Sequence, residues 1–245
     1  MIPISDQNPS RHVPAVNWTL IAINIIVFLF ELTLPARQLN RLMALWGAVP
    51  NDVLFALANP VQTPSVVWFS MITSQFLHAG WAHIIGNMLF LWVFGDNIED
   101  ALGHFTYLLF YLASGVAATI TQSVVMGPSN IPSVGASGAI AGVLGAYLVL
   151  YPWARINILV PLFILFWTVD LPALVVIGWW FVQQFFYGIG SLTTAAATGG
   201  IAFWAHIGGF VTGMVLIVPF IGRARSRRRV PRYFYAQDDY PFSRS

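Results

Sequence analysis

Ser137 stands in Gly135-Ala136-Ser137-Gly138, ahead of the small-residue run Ala139-Ile140-Ala141-Gly142-Val143-Leu144-Gly145. The pattern puts one hydroxyl at the mouth of a short apolar helix. A serine hydroxyl is a poor nucleophile until a neighbouring base takes its proton, and neutral histidine is the usual base near pH 7. His206 is the only histidine in the last two apolar segments, so it is the expected base. A tetrahedral intermediate needs donors for its oxyanion. His83 and Asn87 project from one side of their helix at i, i+4 and carry side-chain N–H groups, and the start of the Ser137 helix adds backbone N–H groups. No carboxylate is placed to orient His206, so a Ser–His dyad is implied and not a triad.

The elements that position these residues read as membrane helices. Of the 245 residues, 58% are hydrophobic and 8% charged, with a mean hydropathy of +0.73, whereas a soluble domain carries roughly 25% charge. With no cysteine, disulfides, thiol nucleophiles and cysteine-ligated metals are excluded. Set against the roughly 20 residues that span a bilayer, the apolar runs are Trp18–Leu34, Trp81–Ile98, Phe105–Val125, Ser137–Tyr151, a stretch within Leu159–Phe186, and Gly200–Ile221. Pro161, Asp170 and Pro172 interrupt the fifth. Its first part therefore lies at the interface or continues the preceding loop, leaving Leu171–Phe186 to span. The connection from Pro35 to Gly80 is the longest, and Trp46, Trp68 and Phe69 suit a segment partly in the interface.

All positive side chains are arginine, and Arg223, Arg225, Arg227, Arg228 and Arg229 follow the last apolar run. Under the positive-inside rule that end is cytoplasmic, and six spans bring the N-terminus to the same side. Trp18–Leu34 reads as a retained anchor, because no small-residue cleavage site precedes it. The expected organisation is a cytoplasmic segment 1–17, a six-helix domain 18–221 and a basic cytoplasmic tail 222–245. At 1.5 Å per residue, Ser137 falls roughly 8 Å below the outer surface and His206 roughly 9 Å down its helix. His83 and Asn87 fall in a similar zone. Ser137, Ala141 and Gly145 share one face and His206, Gly209 and Gly213 another, and small-residue stripes let membrane helices approach closely.

Four pieces together resemble the rhomboid family of intramembrane serine proteases: His78-Ala79-Gly80-Trp81-Ala82-His83-Ile84-Ile85-Gly86-Asn87, Gly95-Asp96-Asn97-Ile98-Glu99, Gly135-Ala136-Ser137-Gly138 and Ala205-His206-Ile207-Gly208-Gly209. The resemblance runs from about Trp18 to Ile221. It implies an all-α, six-transmembrane-helix bundle with Ser137 as nucleophile, His206 as general base, and His83 and Asn87 as oxyanion donors. It also implies transmembrane protein substrates, cut in or near the outer part of their helix, and a fifth helix that gates their lateral entry. Trp179, Trp180, Phe181 and Phe185 suit such a gate or an ordinary lipid-facing surface. Two positions depart from the family. Phe69-Ser70 replaces a frequent Trp-Arg, and Ala141 stands where some members carry an aromatic that packs on the catalytic imidazole.

Other polar residues read as structural. His78 is loop scaffolding, Glu99 an anchor at the inner end of its helix, and His12 and His104 solvated groups near helix ends. Asp170 suits an N-cap for a helix opened by Leu171-Pro172. Competing functions weigh less. Non-proteolytic rhomboid-like helix binders typically lack the serine or the histidine, and this chain has both. A zinc protease using His78, His83 and His206 lacks an H-E-x-x-H motif, an aspartyl protease needs a second membrane aspartate, and a transporter should show midplane charge pairs or inverted repeats. The expectation is an intramembrane serine endopeptidase needing no metal or cofactor, its partners being transmembrane substrates and membrane lipid and not nucleic acid. A bacterial or archaeal plasma membrane is the simplest location.

Overall fold

The computed structural model describes residues 2–162, 165–192, 201–222 and 224. Its order is β1 (Ile2–Asp6), α1 (Ala15–Thr33), α2 (Ala36–Trp46), α3 (Pro50–Ala58), α4 (Ser65–Thr73), α5 (Trp81–Leu102), α6 (His104–Met126), α7 (Ser137–Leu150), β2 (Arg155–Leu162), β3 (Leu165–Pro172), α8 (Ala173–Ser191) and α9 (Phe203–Leu216), with 3-10 turns at Ser74–Phe76 and Val218–Phe220. Five of the six apolar runs fall on helices, and the later part of the fifth falls on α8. Four helices, α1, α6, α8 and α9 with its 3-10 turn, are long and apolar enough to cross a bilayer by themselves. A further span is possible as a bent pair, Ser65–Phe76 with α5, which turns through 83°. Helix α7 has only 14 residues, about 21 Å. The chain is an integral membrane protein built as a helical bundle. The Gly200 start of the sixth run and the arginines from Arg223 onward lie outside the described residues.

The bundle turns its polar residues inward. On α1 the buried positions Asn17, Leu20, Asn24, Phe28 and Glu31 recur every three or four residues, so they form one stripe. Ile23, Ile25, Ile26, Leu29, Phe30 and Leu32 face outward. Such an outer face suits a hydrocarbon surrounding, and the inward polar groups find partners in the protein. Asn17 Nδ2 donates to the Leu91 carbonyl at 3.0 Å and Asn17 Oδ1 accepts from Tyr107 at 2.8 Å. The N-cap residue of α1, Pro14, makes no side-chain cap. Glu99 of α5 supplies it, accepting from the Val16 and Asn17 amides at 3.0 and 2.7 Å, and also bonds His104. The anchor reading of Glu99 thus acquires a specific duty. His12 pairs with Asp100 at 2.6 Å.

Helix α7 lies at the centre, buried from Gly138 to Tyr147 and packed against α5, α6, α8 and α9. Its approach to α9 runs through Gly138, Gly142 and Gly145, which meet Gly209, Gly213 and the Phe210 carbonyl. The α9 stripe is the expected one. On α7, Gly145 belongs to the expected Ser137–Ala141–Gly145 face, whereas Gly138 and Gly142 stand one position beyond Ser137 and Ala141.

The sequence pattern did not suggest the antiparallel sheet β1-β2-β3. Among the described residues, the first part of Leu159–Phe186 is not loop but the end of β2 and all of β3. Ile156 and Ile158 are fully buried on one face of β2, with the period of two that a strand requires. Asp170 does not cap α8, which begins after Pro172 with no side-chain cap. It sits on β3, accepting from Asn157 at 2.8 Å and Gln7 at 2.9 Å. Asp6, at the end of β1, accepts from Tyr147 at 2.5 Å and Asn97 at 3.1 Å, tying the sheet to α7 and α5.

Candidate active site

Ser137 opens α7, and the first intrahelical bond of that helix runs from the Ile140 amide to the Ala136 carbonyl at 3.0 Å. The earlier amides of the first turn have no intrahelical partner, and no side chain caps them. They point, with the positive end of the helix dipole, toward the space beside Ser137. Ser137 Oγ lies 2.8 Å from His206 Nε2, across 69 residues of sequence. The close glycine contact of α7 with α9 is what brings them together, because Gly138 and Gly209 are each within a turn of Ser137 and His206.

His83 and Asn87 reach the same place from α5. A Cβ built on Gly135 would lie 2.6 Å from both Cε1 and Nε2 of His83 and 3.7 Å from Asn87 Nδ2. Gly135 has φ 125°, a conformation that favours glycine, so this position is glycine for two independent reasons. Asn87 Nδ2 is also 2.9 Å from His78 Nε2. One amide hydrogen is thereby held by His78, and among the described residues no bond is seen to the second. His78 is buried, its ring 5.1 Å from that of His83, and its backbone amide is held by Glu31 at 3.3 Å. The scaffold reading of His78 is right in kind, but what it holds is Asn87.

The long connection after α1 holds the loop that leads into Ser137. Ala48 and Ser133 exchange backbone hydrogen bonds at 3.0 and 2.8 Å, the Asn51 amide donates to the Ser129 carbonyl at 3.1 Å, and the Gly135 amide donates to the Ser74 carbonyl at 2.8 Å. Asn51 and Asn130 side chains pair at 2.5 Å. At the departing Phe69-Ser70 pair, Phe69 is exposed and the buried Ser70 hydroxyl bonds the Val67 carbonyl, so the loop is anchored through backbone bonds. Beside Ser137 is a cavity of about 20 Å³, lined by Ser74, Gln75, Thr119 and Ser133 among others. That suffices for one water molecule in polar surroundings. Two larger cavities, of 180 and 230 Å³, sit around Glu99 and Asp96, at the far end of α5 from His83.

The sequence reading missed Gln184. Its Oε1 lies 2.7 Å from His206 Nδ1, and the Trp180 ring lies 5.8 Å from the imidazole. Both come from α8. The available signal was the pair Gln183-Gln184 within an apolar span, since an amide in such a setting needs a partner. Of the four aromatics considered for a gate, Trp180 and Phe181 turn inward, Phe181 stacking on Phe210 at 4.5 Å. Trp179 and Phe185 are exposed. Among the described residues no three His, Asp or Glu side chains are grouped to hold a metal ion.

Comparison with known proteins bears on the same region. The Rhomboid domain family model matches residues 65–223, a span that contains His83, Asn87, Ser137 and His206. Rhomboid-like protein 11, chloroplastic, of Arabidopsis thaliana is 40% identical over 87 residues, 35% of this chain and 31% of that protein. Rhomboid protease GluP of Bacillus subtilis (strain 168) is 35% identical over 136 residues, 55% of this chain and 24% of the relative. Rhomboid protein 1, mitochondrial, of Saccharomyces cerevisiae (strain ATCC 204508 / S288c) is 28% identical over 224 residues, 88% and 56% of the two chains. The chain therefore spans between about a quarter and just over half the length of these relatives.

Proposed function

The chain belongs to the rhomboid family, and from that premise we propose that it is an intramembrane serine endopeptidase. The observation that carries the reading is the 2.8 Å approach of Ser137 Oγ to His206 Nε2. In the proposed reaction His206 Nε2 takes the hydroxyl proton as Oγ attacks the scissile carbonyl carbon. The oxyanion accepts from the second Asn87 amide hydrogen, from His83 and from the first backbone amides of α7. His206 then protonates the departing amine, leaving an ester on Ser137. A water molecule, for which the cavity beside Ser137 has room, attacks that ester while His206 takes its proton and returns it to Oγ. The products are two peptides with a new carboxyl and a new amino group.

The substrates are transmembrane proteins cut in or near the outer part of a helix, entering beside α8. Both termini lie in the cytoplasm, a placement supported by the arginine cluster, and the host is a bacterial or archaeal plasma membrane. The test is cleavage of a model transmembrane substrate by purified protein, with a fluorophosphonate probe in parallel. Wild type should cleave and become labelled, and Ser137→Ala should do neither while melting normally. Cleavage surviving in Ser137→Ala would refute the proposal. A folded wild type that neither cleaves nor labels would favour a non-proteolytic helix-binding role.

A further inference from the structure

Among the described residues, the partners of the His206 ring other than Ser137 include Gln184 and Trp180, both from α8. In many serine hydrolases a carboxylate receives the second imidazole hydrogen. Here the partner of Nδ1 is a neutral amide oxygen, Gln184 Oε1, at 2.7 Å. Position 141, one turn after Ser137, is a buried alanine and offers the imidazole no aromatic surface. Trp180 offers that surface instead, 5.8 Å away and tilted by 38°. Trp180 and Gln184 are four residues apart and so share one face of α8.

The direction of the amide bond decides whether His206 is a base. An amide oxygen can only accept, so Nδ1 carries the hydrogen and Nε2 presents its lone pair to the Ser137 hydroxyl. With the amide reversed, its N–H would donate to Nδ1. The hydrogen would then sit on Nε2, and neither atom of the Ser137–His206 contact could take the serine proton. Helix α8 is also the most lightly embedded of the long spans. Only 22% of its apolar window is buried, against 39% for α6 and α9, and Val182, Phe185 and Phe186 face outward.

We propose that Gln184 is a positioning residue that holds His206 in the Nδ1–H tautomer, and that the base is therefore assembled only while α8 is docked against α9. The proposal rests on the dyad reading for its catalytic consequence, but not for the tautomer itself. A substrate helix that displaced α8 too far would disarm the site it enters, so productive entry must leave the 180–184 face in place.

The test uses the full chain in detergent with 15N-labelled histidine. The His206 ring signals, identified by their loss in His206→Ala, should report a protonated Nδ1 and an unprotonated Nε2, and Gln184→Ala should shift the population toward the other tautomer. In cleavage assays Gln184→Ala should lower kcat about a hundredfold with KM little changed, since a wrong tautomer alone can cost up to about ten-thousandfold. Gln184→Glu should rescue kcat and move the acid limb of the pH profile upward, because a carboxylate favours the imidazolium. An unchanged tautomer in folded Gln184→Ala would overturn the proposal, as would wild-type kcat. Failure of Gln184→Glu both to rescue and to shift the limb would also overturn it, and this variant keeps the test open if alanine unfolds α8. A wild type with the expected tautomer but no cleavage or probe labelling would instead overturn the protease reading.

Discussion

Replacing Gly209 by alanine adds one methyl group at the contact that sets the Ser137–His206 distance. The new Cβ would lie 2.9 Å from the Gly138 carbonyl carbon and 3.4 Å from Ala118 Cβ, and closer still to the Gly138 oxygen. Non-bonded carbons settle at about 3.5–4.0 Å, so α9 must withdraw from α7 by roughly 1 Å. No flexible side chain can absorb the clash, because the obstructing atoms are backbone. Overpacking of this kind costs about 1–3 kcal/mol, which for a chain of about 150–250 residues lowers Tm by about 2–4 °C per kcal/mol. The catalytic effect is larger. A withdrawal of that size stretches the 2.8 Å contact between Ser137 and His206 beyond hydrogen-bond reach, and misplacement by about 1 Å can cost a hundredfold in rate. Gly209→Ala should therefore melt a few degrees early and cleave a model transmembrane substrate about a hundred times more slowly. Gly178→Ala is the control, since a Cβ there meets nothing within 4 Å, and it should leave both quantities unchanged. A Gly209→Ala protein with wild-type Tm and kcat would refute the argument that the glycine contact sets the geometry of the dyad.

Asn87→Ala should lower kcat about tenfold to a hundredfold, because backbone donors remain, and His78→Ala should give a smaller loss by releasing the Asn87 amide. Unchanged turnover in Asn87→Ala would remove that residue from the oxyanion role. Burial raises the Asp6 carboxyl to about 6 against the lowering pull of the Tyr147 hydrogen bond, with Asp96 adding to the rise. Its stabilising contribution is thus complete below the ordinary value of 3.8 and is lost as pH rises through about 6. Asp6→Asn should flatten Tm against pH across that window, and an unaltered slope would count against the assignment. Glu99→Ala leaves the Val16 and Asn17 amides of α1 without their acceptor and should destabilise the fold by about 1–3 kcal/mol, read as a lowered Tm in detergent.

The helices and the pairing of Ser137 with His206 were legible because both are written in local pattern. Long apolar runs mark spans, and Ser137 and His206 each sit in short glycine-rich frames that only close packing explains. The sheet was hidden by composition. Ile156, Ile158 and Val160 alternate within a segment so apolar throughout that period two cannot be separated from a span, and pairing with β1 joins residues about 150 positions apart. The clamp of Ala48 on Ser133 is made by backbone atoms and leaves no mark in side-chain identity. The part played by Gly138 and Gly142 in the α7 stripe was likewise beyond reach. Glycine and alanine are both small, so the run 138–145 does not by its pattern mark one face, and the packing of α6 and α9, with Ser114 and Ala118 against Gly142 and Gly138 and the Gly209 carbonyl against Gly142, selects it.

Gln184 was missed for a different reason, and it shows how the polar groups of the bundle divide their work. A search for a charged orienting partner passes over an amide, yet a neutral acceptor is the less costly choice where water is scarce, because it fixes a tautomer without adding a second buried charge. The carboxylates that are buried or partly buried are spent on bonds that hold elements of the fold together. Glu99 caps α1, Glu31 holds the His78 amide, and Asp6 ties β1 to α5 and α7. Helix α5 joins the two regimes. Its first turns present His83 and Asn87 beside Ser137, and its last turns present Asn97 and Glu99 to the N-terminal segment. A change at the Glu99 end should therefore lower stability with little effect on kcat per folded molecule, whereas a change at the Asn87 end should lower kcat with little effect on Tm. Measuring both quantities on both variants separates the two ends, and a Glu99→Ala protein that folds fully but turns over slowly would show that α5 transmits strain between them.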